Sequence, residues 1–502
     1  MGKDPYEWLS RSRGQRFLYR FGQGVRTAPR WAATRGRRLL GAPLRAVRAV
    51  GAAFAGLWRV FRDGDALTRA SFAVMGLSQV CRGQVARGLL YFAMQAVFVV
   101  YMIAFGGGFL ADLTTLGEVA VTKEINDLGL EVVTYHDNSL KILLYGLLTV
   151  FFILGFIYTW WTSVKGAGAA QKLIASGVRP RGFRNDIRAL GDEQYYKTLL
   201  SVPLLGILIF TVIPIAFMVL VAFTNYDYSH LPPENLFSWV GLDNFKEVLG
   251  MQAGSGRFSY TFGELLIWTL TWAVFATFTN YFGGILVALL INKKGIRFKK
   301  GFRTVLVLTI AVPQFVSLLL ASQLFADEGI VNRVLLDLGW ITDSIPFLTD
   351  PMLARVTVIA INLWIGIPYL MLIATGILMN IPADLYESAR IDGAGGIRQF
   401  SAITMPYMLF VTGPYLLTSF IGNINNFNVI YLLTGGAPKT MDFEGGAGYT
   451  DLLITWLYKL TVTDNNYKMA AVIGIMVFLV VAIISLVVYN VTPSVKNEED
   501  FQ

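Results

Sequence analysis

Apolar runs long enough to cross a bilayer constrain this 502-residue chain more than any other feature. Apolar residues make up 55% of the sequence and charged residues 15%, a balance that does not fit an ordinary soluble protein. A helix needs roughly 20 apolar residues to cross about 30 Å of hydrocarbon. The sequence therefore predicts an all-α integral membrane protein with about eight transmembrane helices, near residues 88–109, 141–163, 199–223, 265–291, 304–325, 355–379, 406–433 and 469–489.

The seventh run differs from the others because residues that weaken helices interrupt it. Gly413, Pro414 and Gly422 lie inside the run, and three asparagines follow them. Proline removes a helical hydrogen bond, and glycine lowers helix stability. We expect this segment to be a broken or cavity-lining helix.

Basic loop residues predict the orientation, since Lys and Arg are retained on the cytoplasmic side. They follow the second run as Lys165, Lys172, Arg179, Arg181, Arg184 and Arg188, and the fourth as Lys293, Lys294, Arg297, Lys299, Lys300 and Arg303. The loops after the first and fifth runs are acidic instead. Both termini and the loop after the sixth run are then expected inside.

Residues 1–87 form a separate region with many arginines and few acidic residues. From Leu44 to Phe61, apolar residues fall on one helical face and arginines on the other. Two interpretations stay open: a basic amphipathic helix on anionic lipid, or a poorly ordered basic tail. Nucleic-acid binding lacks a fold signature or interleaved aromatics, so we expect no nucleic-acid partner.

The sequence offers little catalytic or metal chemistry. Cys81 is the single cysteine, and His136 and His230 are expected in external loops as solvated side chains. No G-x-x-x-x-G-K-[ST] phosphate loop, G-x-S-x-G elbow or H-E-x-x-H zinc motif occurs. The interiors of the runs also carry almost no charged residues, which disfavours an ion-coupled carrier. We predict a chain without catalytic or metal-binding residues, driven by a separate subunit.

Uncharged polar residues at membrane depth are candidates for ligand binding. They are Asn362 in the sixth run and Asn423, Asn425 and Asn426 in the seventh. These amides suit the hydroxyls of a neutral ligand better than an ion, and nearby aromatics such as Trp364, Tyr369, Phe420 and Phe427 suit sugar rings. Hydrogen bonding between helices, with Gly366 and Gly422 permitting close packing, explains the same residues. Both interpretations stay open here.

A polar stretch between the sixth and seventh runs cannot enter lipid. It runs from Tyr386 to Gly396 and carries Glu387, Arg390 and Asp392, which would be stranded without water. It must therefore lie at the membrane surface, as a cytoplasmic loop or facing a partner. Its spacing resembles the E-A-A, D-G-A and I-x-L-P loop of ABC-importer membrane subunits, with Ser388 replacing an alanine and Met405 a leucine.

The resemblance implies that the loop near residues 383–406 forms the coupling helices that dock on an ATPase subunit. The positions that match the motif are Glu387, Ser388, Ala389, Asp392, Gly393 and Ala394.

Two further segments narrow the resemblance to the larger permease subunit, MalF-type, of maltose/maltodextrin ABC importers. They are residues 362–369 and residues 419–438, and the similarity extends roughly over residues 199–489. In that family the sugar touches the sixth and seventh spans. The resemblance therefore implies substrate contacts at Asn362, Ile365, Gly366, Tyr369, Asn423 and Asn426.

The chain departs from that pattern at three places in the implied site. Ile310 and Gln314 stand where family members contribute a tyrosine and a serine, and Gly422 stands at an aromatic position. The loop after the third run, about residues 224–263, is also far shorter than the folded domain of the best-known member. We expect Ile310 and Gln314 to contribute to a site whose sugar specificity differs in detail.

The resemblance implies a type I ABC importer permease in a bacterial inner membrane. Its implied partners are a second homologous permease, an ATPase dimer that binds ATP and Mg²⁺, an extracytoplasmic sugar-binding protein, membrane lipid and a malto-oligosaccharide substrate. This chain itself would hold no cofactor. The alternatives are a permease for galacto-oligosaccharide or another oligosaccharide, an ion-coupled sugar carrier and a membrane scaffold.

The predicted organisation has four parts. Residues 1–87 form the basic cytoplasmic or interfacial region, and residues 88–198 hold the first two transmembrane helices with a basic loop. Residues 199–492 form the core permease domain, and residues 493–502 a cytoplasmic tail.

The orientation can be measured with single cysteines in a Cys81→Ala background. An impermeant thiol reagent applied to intact cells should label Thr122→Cys, because the loop at residues 112–137 is expected outside. Ser176→Cys lies in a basic loop and should be protected. The reverse labelling pattern would invert the topology.

Overall fold

The structure is a computed structural model that describes residues 48, 51–125, 127, 130–293 and 295–491. Residues 44–47, 49 and 50 of the predicted amphipathic segment and the predicted tail lie outside this part of the chain. The chain divides into two units, residues 1–111 with 145–207 and residues 112–144 with 208–502. Each is described by itself.

The regular elements among the described residues of the first unit are all helices. Its elements are α1 (51–62), α2 (Ala66–Ala70), α3 (Leu77–Cys81), α4 (Val85–Asp112), α5 (Ser139–Ala175), α6 (Phe183–Gly191) and the start of α7 (Tyr195–Val221). The long helices α4 and α5 satisfy their own backbone groups, which a lipid environment requires.

Arg82 joins the short helices of the first unit to α5. Its side chain is 6% exposed; the guanidinium bonds both carboxylate oxygens of Asp65 at 2.7 Å and donates to the carbonyl of Ala167 at 2.8 Å. The hydrogen bond from Arg82 lowers the pKa of Asp65 to about 2. A buried arginine needs such partners, so these contacts fix residues 65–82 against α5.

The second unit contains one hairpin, β1 (Val121–Ile125) with β2 (Glu131–Tyr135), and a helical bundle. The helices that complete it are α8 (Asp243–Val248), α9 (Gly256–Asn292), α10 (Lys299–Ala311), α11 (Gln314–Leu324), α12 (Ile330–Asp337), α13 (Pro351–Met379), α14 (Ala383–Ile391), α15 (Gly396–Ile424), α16 (Phe427–Leu433), α17 (Leu453–Val462) and α18 (Tyr467–Val491).

Seven described helices are long and apolar enough to cross a membrane: α4, α5, α7, α9, α13, α15 and α18. The pair α10 and α11 makes an eighth if it counts as one span. The mostly helical fold and its apolar spans confirm the predicted fold class. The antiparallel hairpin, in which Val121 lies opposite Tyr135, was missed; the sequence analysis had only a loop there.

Two of the predicted spans are broken in the structure. Between Ala311 and Gln314 the helix axis bends by 94°, so the fifth run is not one straight helix. Pro313 begins the new direction because it has no backbone N–H to continue α10. The seventh run is interrupted after Ile424, as expected for a broken helix, although the break lies at Asn425 rather than at the glycines or Pro414.

Helix α9 forms the centre of the bundle. A share of 44% of its apolar stretch is buried, against 6% in α4 and in α7. It contributes Trp272 to one apolar core with α11, α13 and α16, and Tyr281 to a second core with α13 and α15. Helices α4 and α7 instead expose apolar side chains, as lipid-facing helices do.

Glycines let α9 and α13 approach each other closely. A Cβ added at Gly284 would lie 2.6 Å from the Cβ of Leu370 and 2.9 Å from its carbonyl carbon. At Gly366 an added Cβ would lie 2.5 Å from the amide nitrogen of Asn280. Small residues at such crossings are the usual basis of helix packing in membranes.

A fixed loop between α16 and α17 lies over α9 and α13. Trp268 donates from Nε1 to the carbonyl of Thr450 at 3.1 Å, and Arg355 donates from Nε to that of Tyr449 at 2.8 Å. Asp451 is fully buried and accepts from Nζ of Lys459 at 2.6 Å. Burial raises the pKa of Asp451, although Lys459 opposes that shift. The loop thus fixes one end of the bundle.

The close packing at Gly284 can be tested against a matched glycine in α9. Gly284→Ala should lower the free energy of unfolding by about 1–3 kcal/mol, because the methyl group would overlap Leu370. An added Cβ at Gly263 meets nothing within 4 Å, so Gly263→Ala should be neutral or slightly stabilising. Thermal unfolding of the purified variants in one detergent would measure both; equal midpoints would contradict the packing.

Candidate functional site

A cavity lies at the break between α10 and α11. Its volume is about 370 Å³, within the range of roughly 300–1,000 Å³ typical of ligand pockets. The break and one face of α13 line it, through Thr309, Ile310, Val312, Pro313, Gln314, Ser317, Trp364, Ile365 and Tyr369. A helix that ends inside a membrane leaves backbone carbonyls without helical partners. Irregular backbone at this depth occurs where it is buried or lines a cavity, as it does here.

The structure brings four of the eight predicted substrate residues to this cavity. Ile310 and Gln314 lie on the α10–α11 side, and Ile365 and Tyr369 lie on α13. The side chain of Tyr369 is about half exposed. Asn362 also lies on α13 but is buried, and it is not part of the cavity wall.

Asn423 and Asn426 lie outside the cavity wall and hydrogen-bond within the protein. The amide of Asn423 donates to Oγ1 of Thr277 at 3.0 Å, and its oxygen accepts from Asn426 at 3.3 Å. The oxygen of Asn426 caps α16 by accepting from the backbone N–H of Val429 at 3.3 Å. These bonds stabilise the break between α15 and α16, as the helix-packing interpretation predicts.

Gly366 also serves the packing of the bundle. It faces Asn280 of α9, whose Nδ2 donates to the carbonyl of Ala276 at 2.8 Å. The Oδ1 atom of Asn280 is buried and has no hydrogen-bond partner among the described residues. A buried acceptor without a hydrogen-bond partner carries a free-energy cost. A donor placed beside Oδ1 of Asn280 would therefore be favourable.

The contribution of α9 was not predicted from the sequence. Thr277 and Asn280 are three residues apart and therefore share one helical face; they contact Asn423 and Gly366 respectively. Two polar residues at helical spacing inside an apolar run were the available signal. Thr309 and Ser317 were missed as well, and both flank the break.

The chemistry of the cavity suits an uncharged ligand. Its nine lining residues include no Asp, Glu, Lys, Arg or His. Gln314, Ser317 and Thr309 offer neutral donors and acceptors, and Trp364 and Tyr369 offer aromatic faces that are about half exposed. Such a wall can bind hydroxyls and stack on apolar ring faces without compensating a charge.

A second candidate site is the exposed loop around Gly393. Helix α14 ends where Gly393 has φ +73°, a left-handed conformation, and the N–H of Ala394 then bonds the carbonyl of Ala389 at 2.8 Å. The predicted positions Glu387, Ser388, Asp392 and Gly393 are exposed, whereas Ala389 and Ala394 are partly buried. An added Cβ at Gly393 meets nothing within 4 Å, so its backbone conformation rather than crowding in this chain requires glycine.

Exposed apolar side chains lie beside the charged residues of this loop. Ile391 is the last residue of α14 and Ile397 lies in the first turn of α15, and each is 87% exposed. Tyr386 fixes α14 to α15 through a 2.9 Å hydrogen bond with Thr404. Exposed apolar side chains beside charges make this loop a candidate interaction surface.

The family described as "Binding-protein-dependent transport system inner membrane component" matches residues 280–497. Several relatives are similar along most of their length, including the following two. The maltodextrin transport system permease protein MalC of Streptococcus pneumoniae is 34% identical over 429 residues, 83% of this chain and 93% of that protein. The galactooligosaccharides transport system permease protein GanP of Bacillus subtilis is 35% identical over 427 residues, 85% of this chain and 97% of that protein.

A third relative matches over a shorter stretch. The maltose/maltodextrin transport system permease protein MalF of Vibrio parahaemolyticus is 34% identical over 235 residues, 46% of this chain and 44% of that protein.

Proposed function

Because this chain belongs to the MalF-type family of membrane-spanning permease subunits of ABC sugar importers, we propose that it translocates a neutral malto-oligosaccharide through the cavity at the α10–α11 break. As a permease subunit it is not itself an enzyme, and ATP hydrolysis takes place on a separate subunit. One observation carries the proposal for this site. The cavity combines neutral hydrogen-bonding groups with two aromatic side chains and has no charged residue on its wall.

A galacto-oligosaccharide is the second candidate substrate, because GanP is similar to this chain over nearly its whole length. Both sugars are neutral and rich in hydroxyls, so the same wall accommodates either class. Competition in uptake assays between malto- and galacto-trisaccharides would decide between them.

The transport cycle requires partners that this chain contacts on opposite membrane faces. An extracytoplasmic binding protein delivers substrate, and an ATPase supplies the energy. We further propose a second homologous permease, two ATPase copies that bind ATP and Mg²⁺, and cytoplasmic termini. Closure of the ATPase dimer would move α14 and shift the bundle between two states, which nucleotide biases.

The cavity assignment can be tested by removing one neutral contact at a time. Gln314→Ala should weaken uptake several-fold, since one neutral hydrogen bond contributes about 0.5–1.5 kcal/mol. Tyr369→Ala should have a similar effect by removing a stacking face, whereas Tyr228→Ala, at an exposed tyrosine outside the cavity, should not. Initial uptake rates against sugar concentration, in proteoliposomes with the assembled complex, provide the measurement.

Two further variants, Asn423→Ala and Asn362→Ala, test predicted substrate residues that lie outside the cavity wall. Loss of Asn423 also removes its bonds to Thr277 and Asn426, so it should reduce both thermal stability and uptake. If Gln314→Ala and Tyr369→Ala leave uptake unchanged in an assembled complex, the site lies elsewhere.

The role of the Gly393 loop is tested by a matched pair of alanine variants. Gly393→Ala should cost about 1–2 kcal/mol of local strain, because a side chain disfavours the left-handed conformation. We expect it to uncouple ATP hydrolysis from uptake. Gly396→Ala lies in ordinary helix with open space around it and should retain coupling. Uptake per ATP hydrolysed is the readout, and equal ratios in both variants would refute the assignment.

A further inference from the structure

An exposed row of aromatic side chains in the first unit has no place in the transport site. Trp58 stacks on Phe61 at 5.9 Å, Phe61 meets Phe72 edge to face at 5.2 Å, and Phe72 meets Trp160 at 5.9 Å. The row forms an open aromatic groove of about 580 Å³, lined by Phe54, Ala55, Leu57, Trp58, Phe61, Phe72 and Trp160. Phe54 and Trp58 remain 68% and 63% exposed.

Helix α1 presents three different faces around its axis, at about 100° per residue. Leu57 is buried, and Val60 meets Gly168 of α5, which defines the protein-facing side. Phe54, Trp58 and Phe61 follow as an exposed apolar stripe. Arg59 and Arg62 form the next stripe and are exposed, and Arg48, the described residue that precedes the helix, is exposed as well. A helix at a membrane interface shows this order of protein, apolar and basic faces.

If α5 enters the hydrocarbon layer at Ser139, its length would place Trp160 and the aromatic groove near the far edge of that layer. Trp160 lies 21 residues after Ser139, the first residue of α5. That length is about 32 Å of helix, close to the thickness of the hydrocarbon core of roughly 30 Å. Trp161 follows immediately, with the ammonium of Lys165 4.0 Å from its ring centre. Aromatic and basic residues at the end of a span are typical of the membrane–water boundary.

Positive charge lies beside the aromatic groove. The guanidinium of Arg69 is 5.8 Å from the ring of Phe61, and its nitrogens donate to the carbonyls of Phe61 and Arg62 at 3.1 and 2.9 Å. Asp63, which follows α1 directly, is paired with Arg62 at 2.8 Å. Arg59 and Arg48 therefore provide exposed charge next to an apolar surface.

We propose that the aromatic groove binds an anionic glycerophospholipid of the leaflet in which it lies. An acyl chain would occupy the groove between Trp58 and Trp160, and the phosphate would lie at the basic stripe of α1. Apolar burial and attraction between phosphate and arginine then act together, as two-signal membrane binding requires. The segment before α4 is in this way a lipid-binding element, separate from the sugar cavity.

Brominated lipid provides a direct test in the assembled complex. In a Cys81→Ala background, a bimane label at Phe54→Cys should be quenched by brominated acyl chains of phosphatidylglycerol in mixed vesicles with phosphatidylcholine. The same label at Ala52→Cys, an exposed position outside the groove, should be quenched much less.

A charge test uses double variants. Arg48→Gln with Arg59→Gln should reduce quenching at position 54 by brominated phosphatidylglycerol by about fivefold or more at equal lipid content, because each arginine adds to the attraction near the surface. The double variant Arg179→Gln with Arg184→Gln removes two exposed charges elsewhere in this unit. It should leave the quenching at position 54 unchanged.

Two results would overturn the proposal. Equal quenching by brominated phosphatidylcholine and phosphatidylglycerol would exclude an anionic headgroup site. Quenching that appears only after deletion of residues 1–47 would show that the chain's own N-terminal segment occupies the groove.

Discussion

The close contact between α9 and α13 is the interaction on which the rest of the bundle depends. Because Gly284 and Gly366 have no side chains, the backbone at Gly284 packs directly against Leu370 and the backbone at Gly366 against Asn280. Hydrophobic burial drives association of helices only weakly in lipid, so close van der Waals packing has to stabilise it. Both apolar cores of the bundle include residues of α9 and α13. The same crossing positions Ile365 and Tyr369 on the cavity side of α13.

The break between α10 and α11 complements this rigid pair. A straight helix over residues 304–325 would satisfy its own backbone and close the space beside α13. The 94° bend opens that space and turns Gln314 and Ser317 toward it. The packed helix α13 therefore forms one wall of the cavity, and the irregular break between α10 and α11 forms the other. The loop at Asp451 adds rigidity at one end of the same bundle.

Hydropathy was sufficient to predict the membrane fold, because runs such as residues 355–379 are long and uniform. It located the site less well. Residues 304–325 were expected to form one span, and the break at Pro313 was not predicted, since the direction of the bend depends on tertiary packing. The hairpin at residues 121–135 was missed because two five-residue strands carry a weak pattern beside long apolar runs. From sequence alone, Gly366 and Asn423 fitted both substrate contact and helix packing. Their contacts with Asn280 and Thr277 support packing. Substrate contact at these two positions stays a prediction.

The bend at Pro313 also bears on how such a site changes during evolution. Main-chain carbonyls at the end of α10 can accept hydrogen bonds from hydroxyl groups whatever side chains stand nearby. A site built partly from backbone would keep part of its affinity for hydroxyl groups when Ile310 or Gln314 is substituted. New sugar preferences can then arise by a few side-chain changes on an unaltered scaffold.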